Sequence, residues 1–307
     1  MIIYKLPEKT VMDKLPEGCA LALGNFDGVH RGHQKLFELA GEKGHKTAAW
    51  TFTTLAKPGM VVPYLTDMQA KTELFCQYGL DYAVFEDFEA IRNTEYTDFA
   101  KKYLVENFAP ARVVCGFNFR FGHFGTGDAE ALKALLSEVK VDCEVLQPVF
   151  RHSKTVSSSA IRVAVLLGDM DGAFDLLGHP FSLNFPVTRG NKLGRKLGMP
   201  TINQDFPEGH IIPRHGVYAC TANIDGKIYI AVSNIGVRPT VSTKDSHVNC
   251  ETHILGYSGD LYGKEVKVEF YSYIREEMKF ASVDELAEQV KKDIECAKGF
   301  FAHLYGG

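Results

Sequence analysis

Along the first half of the chain, short apolar runs alternate with segments whose apolar residues recur at helical spacing. The run CALALGNF (19–26) is almost continuously apolar, as a strand covered on both faces reads. Segment 33–40 then places Leu36, Phe37, Leu39 and Ala40 on or near one helical face. KTAAWTF (46–52), DYAVFEDF (81–88), ARVVCGF (111–117) and CEVLQPV (143–149) repeat the strand pattern, with helices predicted over 66–79, near 97–108 and near 128–139. The first of these opens on Thr66-x-x-Gln69, a capping-box spelling, and closes at Gly79. Strand and helix in strict alternation predict an α/β, Rossmann-like, doubly wound parallel sheet, in which ligands sit beyond the carboxyl ends of the strands.

After a helical segment over 158–178 the pattern changes. GVYACTANIDGKIYIAVSNIG (216–236) reads as two strands joined at Asp225-Gly226, a tight hairpin, and VNCETHIL and KEVKVEFYSYI add two more. Strands in succession without helices between them predict a small antiparallel β-barrel. A closing helix starts at Ser282-x-x-Glu285 and carries Leu286, Val290, Ile294 and Ala297. The expected domains are 1–180 and 181–307, with no internal repeat.

Composition narrows the class without naming a function. The 307 residues carry a formal net charge of −4, with 45% hydrophobic and 23% charged residues, so nothing draws the chain to nucleic acid or anionic membrane. Seven scattered cysteines without a Cys-x-x-Cys pair read as reduced thiols and predict a cytoplasmic protein. No apolar run approaches the roughly 20 residues of a membrane span. A homo-oligomer is compatible with all of this.

The candidate chemistry begins at GNFDGVHRGH (24–33). Gly24, Gly28 and Gly32 permit tight turns and close approach to a ligand, and the helix that follows offers free N–H groups and a positive dipole end. His30 and His33 can point the same way and donate to phosphate oxygens. Two other readings stay open on these residues alone: a metal pair, which lacks a third ligand nearby, and a glycine turn with exposed histidines. The stretch resembles the G-x-F-D-G-x-H-x-G-H motif of nucleotidyltransferases, in which the two histidines stabilise the transition state as a phosphate attacks the α-phosphorus of ATP. By that resemblance Gly24, Phe26, Asp27, Gly28, His30, Gly32 and His33 form an ATP site. VVCGFNFRFGHFGTGD (113–128) resembles a segment that lies against flavin and nucleotide in bacterial FAD synthetases, which implicates Asn118, Phe119 and Arg120. VSSSAIR (156–162) is similar to their phosphate-holding I-S-S-T-x-I-R motif, which implicates Ser157, Ser158 and Arg162. One departure stands out: where the family reads F-D/E-P-H-P, this chain reads FTTLAKP (52–58), without the acid and the histidine.

The second half offers GNKLGRKLGMPTIN (190–203), a glycine-rich basic loop suited to ATP phosphates. Pro200 biases Met199 to an extended shape, so Thr201 and Asn203 project to one side, a hydroxyl and an amide oxygen that together make hard ligands for Mg²⁺. A plain turn followed by a strand is the alternative on these residues alone. GMPTIN resembles the G-F-P-T-A-N motif of riboflavin kinase, whose threonine and asparagine hold Mg-ATP. That resemblance assigns Gly194, Arg195, Lys196, Gly198, Pro200, Thr201 and Asn203 to ATP. SNIGVRPT (233–240) and CETHILGYSGDLYGKEVKVEFYSYIREEMKF (250–280) match that enzyme's other landmarks. They imply Glu251 as general base and Arg275 as a residue near the flavin entrance, with a salt-bridged arginine equally open.

Taken in order along nearly the whole chain, these stretches resemble the bacterial family of bifunctional riboflavin kinases and FMN adenylyltransferases. The resemblance implies ATP, riboflavin, FMN and FAD as substrates or products, Mg²⁺ as cofactor, and neither nucleic acid nor membrane as partner. Two alternatives remain: a riboflavin kinase with a degenerate first half, and a non-catalytic flavin-binding regulatory protein.

Overall fold

The computed structural model describes residues 1–5, 18–53, 62–190, 194, 198–238 and 247–305. They fall into two compact units, Met1–Ser158 and Ser159–Gly307. Among the described residues no helix is long and apolar enough to cross a membrane.

The first unit is built on a parallel sheet. Its strands are β1 (Ile2–Lys5), β2 (Ala20–Leu23), β3 (Thr47–Phe52), β4 (Tyr82–Glu86), β5 (Arg112–Gly116) and, after the two-residue strands β6 (Arg120–Phe121) and β7 (Gly127–Asp128), β8 (Asp142–Leu146). The order is β1-β4-β3-β2-β5-β8, every pairing parallel. Helices α1 (Arg31–Gly41) and α2 (Met68–Gln77) cover one face, where Leu36, Phe37, Leu74 and Phe75 pack with Phe26 and the alanines of β2 and β3. After α3 (Phe88–Ile91) and α4 (Tyr96–Asp98), a π-helical segment Phe99–Glu106 and α5 (Ala129–Glu138) cover the other face, around the fully buried Trp50. The chain steps one way from β2 through β3 to β4 and the other way from β2 to β5. The crevice beyond the carboxyl ends of β2 and β5 is therefore the topological switch point.

Two small strands, β9 (Phe150–Arg151) and β10 (Lys154–Thr155), precede a helical pair, α6 (Ser158–Leu167) and α7 (Met170–Leu177). The single helix expected over 158–178 is broken at Gly168, whose φ of +76° ends α6, while Asp169 caps α7 by accepting from Gly172 N. The sheet of the second unit is antiparallel throughout: β11 (Phe181–Pro186), β12 (Thr201–Asp205), β13 (Gly216–Ile224), β14 (Lys227–Arg238), β15 (His247–Ile254) and β16 (Glu265–Arg275), in the order β11-β16-β13-β14-β15-β12. A bridge from Thr188 to Asn203 brings the two edges together and curls the sheet into a barrel. The β13–β14 hairpin turns on Asp225 (φ +51°) and Gly226 (φ +83°), as their pairing in sequence predicts. Helix α8 (Val283–Tyr305) lays Ala297 and Phe301 on Val217, Ala219 and Val232 of the outer barrel face.

α7 packs on β11 and β16, which is why the compact units part at residue 158 rather than after α7. The short edge strand β1 carries no alternation that marks it in the sequence. Over 66–79 the cap differs from expectation. Asp67, not Thr66, is the N-cap and accepts from Ala70 N at 2.7 Å, because Thr66 is engaged with the loop after β2.

Candidate active sites

The first constellation forms where β2 ends. The chain leaves Leu23 through a loop in which Phe26 (φ +47°), Gly28 (φ +81°) and Val29 (φ +40°) take left-handed backbone conformations. Such conformations cost on the order of 1–3 kcal/mol for a bulky residue and persist only where the surroundings enforce them. Here both side chains are fully buried in the core beneath α1, and the loop is strapped from outside. Asp27 Oδ1 accepts from Leu65 N (2.9 Å) and Thr66 N (3.1 Å), Gly28 N donates to Thr66 Oγ1 (2.9 Å), and Ser158 Oγ donates to the Asp27 carbonyl (2.8 Å).

That strap delivers His30 as the N-cap of α1, its Nδ1 accepting from His33 N at 3.3 Å. The two imidazoles stack at 3.5 Å with 14° between planes, so both present their edges in one direction, at a helix N-terminus. A Cβ on Gly32 would stand 3.2 Å from the His30 ring, which explains the glycine between them. Burial, then His30, then Lys71 of α2 hold the His33 imidazole well below its ordinary pKa, so it is neutral. His33 Nδ1 is buried and has no hydrogen-bond partner among the described residues.

Two of the expected residues are engaged within the loop and its core. The Phe26 ring is fully buried and meets His33 edge-on at 5.1 Å. The Asp27 carboxylate faces the backbone of 65–66. Gly24 sits at the strand end, its N–H bonded to the Trp50 carbonyl. Asn118 and Phe119 lie in the turn after β5, at the other side of the switch point, with Phe119 N donating to Gly116 O. Phe119 stacks on Phe121, and Arg120 is exposed, 3.6 Å from Asp128. Ser157 precedes α6, and Arg162, buried, follows Ser158 by one helical turn. Within 52–58, only Phe52 and Thr53 are among the described residues.

The second constellation stands on the outer face of the barrel. Gln204, Cys250 and Thr252 point inward, which turns Asn203, Asn249, Glu251 and His253 outward. In the β12–β15 ladder Asn203 lies directly opposite Glu251, and Thr201 opposite His253. One patch thus gathers a hydroxyl, a carboxamide and a carboxylate. Asn203 is 4% exposed; its Oδ1 accepts from Asn249 Nδ2 at 2.9 Å, and a Cβ on Gly190 would lie 2.4 Å from its Nδ2. His253 Nδ1 stands 2.9 Å from the Pro200 carbonyl and pins the strand start. Gly194 accepts from Met199 N and packs so closely on Met199 that a Cβ would lie 2.4 Å from its carbonyl oxygen. Gly198 has φ +72°, while Arg195 and Lys196 lie outside the described residues. Arg275 is the salt-bridged arginine: its Nε and Nη2 donate to both oxygens of the buried Asp293 of α8, at 2.9 and 2.8 Å.

The oxygens present fit Mg²⁺. Thr201 and Asn203 supply neutral hard donors on one face, and the Asn203 oxygen has a lone pair beyond the one Asn249 uses. Among the described residues no cluster of three His, Cys, Asp or Glu could hold a metal. Asn249, which orients Asn203, and Lys71, which acts on His33, escape a reading of the sequence alone. The one signal for Asn249 is its place two residues before Glu251; for Lys71 it is a charge set within the apolar stripe of α2.

Known proteins carry the same two halves. The family profile described as FAD synthetase matches residues 12–160, and that described as riboflavin kinase matches 177–301. A relative from Listeria monocytogenes, named bifunctional riboflavin kinase/FMN adenylyltransferase, is 32% identical over 297 residues, covering 92% of this chain and 93% of its own. The chain belongs to the bifunctional riboflavin kinase/FMN adenylyltransferase family. Members from Bacillus subtilis (33% identity, 92% of this chain and 93% of theirs) and Escherichia coli (34%, 93% and 93%) bear the same name. A crystal structure from Streptococcus pneumoniae, described as a macrolide-efflux protein, matches the fold with a TM-score of 0.85 at 26% identity, over 97% of this chain and 99% of its own.

Proposed function

We propose that this protein makes FAD in two ATP-dependent steps: residues 181–307 convert riboflavin and ATP to FMN and ADP, and residues 1–180 join FMN and ATP into FAD and pyrophosphate. The observation that carries the reading is that the residues of the two motif stretches lie on two different sheets. The functional boundary near 180 keeps Ser158 and Arg162 with the first set, to which the VSSSAIR motif assigns them.

In the kinase step, Glu251 removes the proton of the ribityl primary hydroxyl as its oxygen attacks the γ-phosphorus of ATP, and ADP leaves. Thr201 and Asn203 are the residues that would hold Mg²⁺, with Asn249 fixing the Asn203 amide. When bound, Mg²⁺ offsets charge on the phosphate oxygens. The loop carrying Gly194, Arg195, Lys196, Gly198 and Pro200 covers the ATP phosphates, and Arg275 acts at the flavin entrance through its anchorage to α8.

In the adenylyl step, a phosphate oxygen of FMN attacks the α-phosphorus of ATP and pyrophosphate departs. His30 and His33 donate to the oxygens that gain charge at that phosphorus, assisted by the N-terminus of α1. Gly24, Gly28 and Gly32 let the phosphates approach, Ser157, Ser158 and Arg162 hold them, and Asn118, Phe119 and Arg120 face flavin and nucleotide. The seven cysteines are free thiols, which suits a cytoplasmic enzyme, and its partners are small molecules rather than nucleic acid or membrane.

Paired variants test the assignment. Glu251→Gln should lose FMN formation by about 100-fold or more while keeping FAD formation from supplied FMN; His30→Ala should do the reverse. Retained kinase turnover in Glu251→Gln removes the base, and a joint fall of both rates in folded His30→Ala removes the division of labour.

A further inference from the structure

One buried charge beneath the first site has no part in either step as described. Lys71 lies in the first turn and a half of α2 and is 3% exposed. A lysine is almost never fully buried unless paired, so its position calls for a cause. Its place in the packing supplies one. Lys71 shares a helix face with Leu74 and Phe75, one turn on. The Phe75 ring meets Phe26 edge-on at 5.6 Å, and Phe26 in turn meets the His33 ring. The start of α2 is tied to the histidine loop by the bonds of Leu65 and Thr66 to Asp27.

We infer that Lys71 is a positioning residue for adenylyl transfer, an ammonium buried under the histidine motif that acts through His33 and Asp27 without touching substrate. The inference rests on the adenylyltransferase reading of that motif. Its charge opposes protonation of His33, whose buried, unpartnered Nδ1 would otherwise become an unpaired cationic N–H. The ring is thereby held neutral, a form that keeps a single N–H to donate to a phosphate oxygen. The same charge balances the buried Asp27 that straps the strained loop. The charged groups acting on this pair of side chains are His30 from the α1 cap, Asp27 from the loop and Asp67 from the α2 cap. Burial lowers the Lys71 ammonium to about 8, against the pull of Asp27 and Asp67, so it remains mostly charged at neutral pH. A lysine serving only as counter-ion to Asp27 would stabilise the fold but leave the His33 titration where it was.

The test follows His33 by proton NMR, its signal assigned by the resonance missing in His33→Gln, in wild-type protein, Lys71→Met and Lys71→Arg. FAD formation from supplied FMN and ATP is measured over the same pH range, with FMN formation from riboflavin as the internal check. In Lys71→Met, His33 should titrate at higher pH than in wild type, and the acid limb of FAD formation should move with it. Each unit of that movement corresponds to about tenfold less FAD formation on the acid limb. Lys71→Arg should keep both near wild type, and FMN formation should be unchanged in all. A folded Lys71→Met or Lys71→Gln whose His33 titrates where the wild type does overturns the inference, whatever its rate. Wild-type protein that makes no FAD from FMN contradicts the adenylyltransferase reading instead, and the titration still decides the role of Lys71.

Discussion

In the proposed mechanism, the chemistry of both halves depends on single side chains held in one protonation state or one orientation by a neighbour. His33 is neutral because burial, His30 and Lys71 all oppose its charge, and Asn203 presents its oxygen because Asn249 holds the amide. Glu86 shows the same physics away from either site. It ends β4 beside Phe52, is 2% exposed, accepts from Asp87 N and receives the Tyr103 hydroxyl. Burial, more than the neighbouring Asp87, pushes its carboxyl up to about 7. The unfolded chain titrates near 4.3, so folding binds a proton in between. The stability this provides is complete below about pH 4 and lost as pH rises through about 7, at most about 4 kcal/mol. Thermal midpoints of the first unit should therefore fall across that window, and Glu86→Gln, which keeps an acceptor for Tyr103, should flatten the decline. An unchanged slope in Glu86→Gln would place the titrating group elsewhere.

Elements carry these residues into place, and their ends were harder to read than their existence. The parallel strands, the Asp225-Gly226 hairpin and the closing helix follow from local patterns, because each pattern reflects burial on a face of fixed period. The cap at Thr66 did not follow, since its hydroxyl is claimed by Gly28 and Asp27, nearly forty residues earlier. Lys71 and Asn249 were illegible for a similar reason: what buries or uses each is a partner on another element. Helix α8 is fixed in the same long-range way. The paired hydrogen bonds from Arg275 to Asp293 join the end of β16 to the middle of α8, and Gln289 adds a third bond to that carboxylate. Removing one partner of a buried ion pair leaves a desolvated charge, a loss of about 3 kcal/mol or more. Asp293→Ala should lower the unfolding midpoint of the second unit accordingly and expose α8 to limited proteolysis; a midpoint unchanged from wild type would show the pair to be idle.

For the whole molecule, the two motif sets resolve into two sheets of opposite grammar, each with its reactive groups beside a strand end or on an outer strand face. The first site is legible because its loop must solve a steric problem, left-handed turns at Phe26, Gly28 and Val29 before a helix start, and only a narrow set of residues solves it. The second is legible because strand periodicity alone puts Thr201, Asn203 and Glu251 on one face once β12 and β15 are paired. Of residues 53–58 only Thr53 is among the described residues, so the adenylyl step is the part of the proposal to test first. The direct test incubates the purified protein with riboflavin, ATP and Mg²⁺ and separates riboflavin, FMN and FAD by chromatography over time. FMN should appear first and then give way to FAD; FMN that accumulates without FAD, even when FMN itself is supplied, would contradict the account.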